Sequence, residues 1–256
     1  MKKSSPVPLS SQPCRGCGEP KPLVKSHIVP ESFCKLLSKP GKAAKLVSSG
    51  EYTKRSPIGA YDPNILCSSC EEIFGVPDDY AFAFLHSGKT NFEPIHYEQT
   101  LVALRVQDYN YKKLKLFVLT VLWRASVSKM KFFSEVKLRE EEEKRLRDIA
   151  LYGVEPVDDE FPICCGKVLF DERGGVLHCP CEVNQDGVRL FRISTGEFYF
   201  WVKVDAKPWP QTLSPLVAKP GQPLYFTTSY MENSPEMKAA RQIVKQSKHT
   251  HNGKKK

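Results

Sequence analysis

Two cysteine pairs, Cys14-Arg-Gly-Cys17 and Cys67-Ser-Ser-Cys70, have the spacing at which two thiolates reach adjacent corners of a metal tetrahedron. The two intervening residues let both sulfurs turn toward one ion, and Gly16 and Gly18 permit the tight turn this requires. Zn2+ is the expected occupant. A four-thiolate shell is closed, so its role is structural, and chemistry must be sought in the residues it holds together. Between the pairs stands Lys25-Ser-His27-Ile-Val-Pro30; the second pair is introduced by Asp62-Pro-Asn-Ile-Leu66 and followed at once by Glu71. An imidazole with its ordinary pKa of about 6.5 accepts a proton at neutral pH, which suits His27 to general-base work. Asp62 and Glu71 offer hard oxygen donors of the kind that bind Mg2+ or Mn2+. The bland account gives His27 a backbone hydrogen bond, makes Glu71 a helix cap and lets Asp62 open a turn at Asp62-Pro63-Asn64.

These residues resemble the zinc-bracketed HNH endonucleases. In that family a Cys pair precedes an Asp/His-His-x-x-Pro strand, and an Asn lies five residues before a second Cys pair followed directly by His. The resemblance covers roughly residues 14 to 75. It gives His27 the place of the general base, Ser26 that of the preceding metal ligand, Asp62 that of the Asn and Glu71 that of the metal-binding His, so three of the four positions depart from the strict pattern. It implies a ββα-metal module, a catalytic Mg2+ or Mn2+ on Asp62 and Glu71, and hydrolysis of nucleic-acid phosphodiesters, DNA before RNA. The whole chain also resembles a group of bacterial proteins of unassigned activity. They share Ser-His-Ile-x-Pro, Leu-Cys-x-x-Cys-Glu and Trp-Arg-Ala-Ser segments, here Ser26 to Pro30, Leu66 to Glu71 and Trp123 to Ser126.

Other candidates carry less. Cys164, Cys165, His178, Cys179 and Cys181 form a second Cys/His cluster, but Cys-Cys and Cys-x-Cys are not knuckle spacings, and adjacent cysteines on a strand point to opposite faces. Buried small apolar cysteines are the default for these and for Cys34. His249 and His251 are isolated, and Trp123-Arg124 reads as packing plus an ion pair, with a phosphate contact as the alternative for Arg124.

The elements that must position these groups follow from periodicity and turn signals. A short helix is expected over Asp78–His86 with Asp78 or Asp79 as cap, a strand within 97–108, a core helix over Lys112–Lys131 and a surface helix over Glu135–Leu151. From Cys164 onward short β-rich runs alternate with turn signals at Asp171–Gly175, Asn184–Gly187 and Ser194–Gly196, which implies an antiparallel meander. The Lys/Ser/Gly/Pro-rich stretch from Lys35 to Ser56 reads as a long loop joining the knuckles. The expected organisation is α+β: a disordered start over 1–13, a zinc/HNH-like module over 14–96, a helical region over 97–160, an antiparallel β region over 161–233 and a basic disordered tail over 234–256.

The net charge of +9 is unevenly placed. Residues 1–60 carry eleven Lys/Arg against three Glu, and residues 237–256 carry seven Lys/Arg and no acid, so the middle is acidic. Cations concentrated on the proposed module and on the tail point to a polyanionic partner, nucleic acid above all. No apolar run resembles a signal peptide or spans a bilayer, so a cytoplasmic setting is expected, in which nine cysteines favour metal over disulfides. The expectation is therefore a metal-dependent endonuclease. The alternative is a catalytically degenerate zinc-binding adaptor that binds nucleic acid or a protein partner; oligomeric state is not legible.

Overall fold

The computed structural model describes residues 12–37, 44–47, 54–56, 59–156, 159–169 and 176–230, of which 44–47, 54–56 and 176–178 are described in backbone only. The remaining positions, which include both expected disordered ends apart from Gln12, Pro13 and the sheet-forming residues before 231, the turn at 171–175 and His249 and His251, lie outside the described residues.

The two knuckles are brought together by a short antiparallel pair. Strand β1 (Leu23–His27) runs against β4 (Tyr61–Cys67), with Leu23 opposite Cys67, Ser26 opposite Asp62 and His27 opposite Tyr61. The chain between them forms α1 (Glu31–Leu37) and then β2 (Ala44–Val47) and β3 (Lys54–Ser56), which pair with each other. The expected long loop is thus partly structured, and β2 also pairs in parallel with β8 (Val176–His178). Residue Cys67 passes directly from β4 into α2 (Ser68–His86), so strand, strand and helix follow one another around the four cysteines. That helix is ten residues longer at its start than the expected one, because Asp78 turns out not to be a cap. It lies in the helix interior and is buried against Arg124.

Two further strands, β5 (Glu93–Tyr97) and β6 (Thr100–Val106), form a hairpin, and α3 (Tyr111–Val127) follows, opened by the Asn110 side chain accepting from the Lys113 N–H at 2.9 Å. The expected core helix is borne out, and it is more central than an amphipathic stripe requires. Leu114, Phe117, Val118, Leu119, Val121, Leu122 and Trp123 are all fully buried, because α2, α4 (Glu140–Tyr152) and the sheet enclose α3 on all sides. Each such side chain contributes about 1.5–3 kcal/mol by leaving water. Helix α4 begins five residues later than expected, with the Glu142 carboxylate accepting from the Arg139 N–H, and ends at Gly153 in the left-handed conformation, φ 64°.

The remaining strands, β7 (Ile163–Leu169), β9 (Cys181–Gln185), β10 (Val188–Ser194), β11 (Phe198–Lys203) and β12 (Leu224–Tyr230), join β5 and β6 in one seven-stranded sheet of order β5-β6-β12-β7-β11-β10-β9. The expected meander is present in β7, β11, β10 and β9, which pair antiparallel with their neighbours. Two features escape it: β12 enters the middle of the sheet and runs parallel to β7, and the hairpin from before α3 completes one side. One face of the sheet, carrying Phe191, Ile193, Phe198, Phe200, Val202 and Phe226, is fully buried, with Phe117 of α3 meeting Phe200 edge-on at 6.0 Å. The chain is thus a mixed α+β structure with four α-helices and one large mixed sheet among the described residues. None of these helices is long and apolar enough to cross a membrane.

Candidate metal centre and its neighbourhood

The first knuckle is a tight turn fixed by backbone bonds. The Cys14 N–H donates to Glu19 O, the Gly18 N–H to Cys14 O, and the Arg15 N–H to Ile65 O on β4. Gly16 is required by proximity, since a Cβ there would stand 3.0 Å from Cys70 Sγ and 3.0 Å from the Leu151 side chain. Gly18 is required by conformation, at φ +78°. The second knuckle straddles the end of β4 and the first turn of α2, where helix N–H groups point toward anions.

The four sulfurs lie within 4.8 Å of one another, and Cys17 and Cys67 are 3.9 Å apart. Corners of a Zn–S tetrahedron with bonds of about 2.3 Å are separated by about 3.8 Å. The cluster could therefore hold one metal ion such as zinc, and three of its thiols are buried, so the shell excludes water. Burial pushes the thiols of Cys14 and Cys70 up. Burial acts the same way on Cys67, but the Ser69 hydroxyl at 3.3 Å and the Cys70 backbone overcome it and bring that thiol down to about 6. Among the described residues this is the one group of three or more His, Cys, Asp or Glu donors gathered tightly enough for an ion.

The residues given catalytic places are arranged differently. Cross-strand partners share a face and adjacent residues oppose, so Ser26 and Asp62 turn one way while His27 and Tyr61 turn the other. The His27 ring packs on Tyr61 at 5.8 Å between centroids, and the Lys25 ammonium lies 3.9 Å from the same tyrosine ring. Ser26 is fully buried and donates its hydroxyl to Glu71 Oε2 at 2.5 Å. Asp62, 2% exposed, accepts from the Asn64 N–H on one oxygen and from the Ser128 hydroxyl and Lys129 N–H on the other. It is thus Ser26, not His27, that shares a face with Asp62 and touches Glu71. The oxygens that would hold Mg2+ or Mn2+ are engaged by protein donors, and this donor set does not fit a divalent-cation site. The Asp62-Pro63-Asn64 turn of the bland account is present.

A buried ionic link anchors this arrangement. Arg124, 1% exposed, grips Asp78 through two bonds of 2.8 Å and donates to the His27 carbonyl at 2.9 Å. Of the two readings of Trp123-Arg124, packing plus an ion pair is the one present, and Arg124 is too deep to meet a phosphate. Asp78 was not legible as its partner. The available signal was the arginine itself, since a cation inside an all-apolar helix requires a buried acid. Ser69 and Ser128 likewise stood unremarked beside the knuckle and after α3.

The second cysteine cluster does not gather. Cys164 directs its thiol to Leu213 O and Cys179 to Phe132 O, while burial raises both, Cys164 to about 12. Cys165 is fully buried and Cys34 is pushed to about 12 by burial, so the default of small apolar cysteines describes them; the His178 side chain lies outside the described residues. Comparison with family models, curated proteins and solved structures gives no match.

Proposed function

We propose that this chain is a nucleic-acid-binding protein built on a zinc-held strand-strand-helix module of HNH-like build, with the position of the catalytic cation closed. The observation that carries this reading is the hydrogen bond from Ser26 to Glu71 at 2.5 Å. Where the resemblance places two metal ligands, the side chains meet each other directly, and Asp62 spends its oxygens on Asn64, Ser128 and Lys129. Zinc on Cys14, Cys17, Cys67 and Cys70 then serves to hold β1, β4 and α2 in register. Nucleic acid is the partner of choice because the first sixty residues carry a strong excess of lysine and arginine. Lys25, above Tyr61 and beside His27, supplies a cation and aromatic surface on the outer side of the hairpin. DNA is favoured over RNA by the resemblance alone.

The test uses the full zinc-loaded chain with supercoiled plasmid, with Mg2+ or Mn2+ present. The expected result is retardation that weakens steeply with salt, weaker binding by Lys25→Glu, and no nicking. Nicking that disappears in His27→Ala would overturn the closed-site reading in favour of the endonuclease. Absence of any binding at low salt would leave the module as an adaptor for a protein.

A further inference from the structure

Far from the knuckles in sequence, a cleft of about 750 Å3 opens between the first turns of α4 and the connection that follows β11. Its walls include Glu141, Arg145, Asp159, Phe161, Lys203 and Trp209. Three observations set it apart from an ordinary surface crevice. The indole Nε1 of Trp209 is buried and has no hydrogen-bond acceptor, a costly condition that a bound acceptor would relieve. Phe161 holds φ at 46°, in the left-handed region where a bulky side chain is strained, and such strain persists where the surroundings enforce a particular wall. The cations at the rim are held in place rather than free to swing, Arg145 by paired bonds of 2.5 and 2.7 Å to Glu160 and Lys203 by the Asp205 carbonyl at 2.6 Å.

The chemistry that satisfies such a cleft is narrow. It must present an in-plane acceptor to an indole N–H, N–H donors to the carboxylates of Glu141 and Asp159, a flat apolar body to two aromatic walls and negative charge to Arg145 and Lys203. A nucleobase carrying a phosphate has all four properties, and aromatic walls with a few convergent polar groups are how such bases are held. We propose that this cleft is a nucleobase site, taking either a free nucleoside monophosphate or an unstacked base of a single strand. The inference does not depend on the zinc module binding nucleic acid, because it uses none of the same residues.

Calorimetric titration of the full chain with the four nucleoside monophosphates, and separately with short single-stranded DNA, tests it. Saturable one-site binding is expected, weakened about tenfold in Trp209→Phe, which keeps the ring and loses the N–H donor. Ala206→Trp, at an exposed position lining the cleft, is expected to abolish binding without lowering the unfolding temperature, which guards against a misfolded Trp209 variant. Monophosphate binding equal to that of the strand supports a free-nucleotide site, and much tighter strand binding supports an unstacked base. The proposal is overturned if neither probe binds into the millimolar range, or if both variants bind as tightly as the unmodified chain. Plasmid retardation that persists in Ala206→Trp would show that the zinc module acts separately.

Discussion

At the scale of single residues, the knuckle makes the sharpest demands. Gly16→Ala would drive a methyl group against Cys70 Sγ and Leu151, and the expected outcome is a chain that retains less metal after dialysis, measured by elemental analysis. Cys17→Ser, at the most accessible of the four thiols, should lose the ion and several kcal/mol of stability, since binding at a structural site is folding free energy. Acidification should release the metal as well, because protons compete for thiolates. Gly59 poses a separate constraint: at φ +80°, with a Cβ falling 2.3 Å from Cys34 Sγ, its replacement by alanine should cost about 1–3 kcal/mol in urea unfolding. The four ligands were legible because a Cys-x-x-Cys pair states its geometry in its own spacing. The places of His27, Asp62 and Glu71 were legible only as neighbours along the chain. Which way each side chain turns depends on the β1–β4 register and its irregularity between Val24 and Ser26, and no local pattern encodes that.

Between elements, two charged contacts tie the module to the rest of the chain. Arg124→Met would leave Asp78 buried without its partner and the His27 carbonyl without its donor, at an expected cost of about 3–5 kcal/mol; the double variant Arg124→Met/Asp78→Leu should recover much of it, because a well-packed apolar pair avoids the desolvation of both ions. Denaturant midpoints of the two variants check this. The second contact joins the end of α2 to the β10–β11 turn, where His86 lies among Phe33, Phe82 and Phe198 with Glu197 3.7 Å away and Lys167 on the far side of that acid. Burial depresses the imidazole below its ordinary 6.5, Glu197 opposing and Lys167 reinforcing the effect. The unfolded chain therefore binds the proton more readily than the folded one, so stability is full above pH 6.5 and declines as pH falls below it. His86→Gln should flatten that decline in thermal melts. Helix α3 was legible from its repeating apolar positions and α4 from its acidic start and basic middle. The first ten residues of α2 were not, because a metal-ligand pair, a glycine and a proline interrupt the period there.

Across the whole molecule, one hydrophobic cluster runs from Cys14 and Cys67 at the knuckles through α3 to Phe226 on the last described strand. Removing the metal should therefore lower the melting temperature of the sheet as well as that of the module, which calorimetry on the chelated and loaded chain can measure. The meander was legible as far as turns and alternation reach, but the parallel pairing of β12 with β7 spans some sixty residues and leaves no trace in any short window. It also has a consequence for birth on the ribosome. The strand that fills the centre of the sheet emerges after all its neighbours, so β6 and β7 wait through most of synthesis with facing edges bare and a gap between them. A nascent chain halted before Leu224 would expose those edges to other chains, and aggregation would be the fate of any early stop.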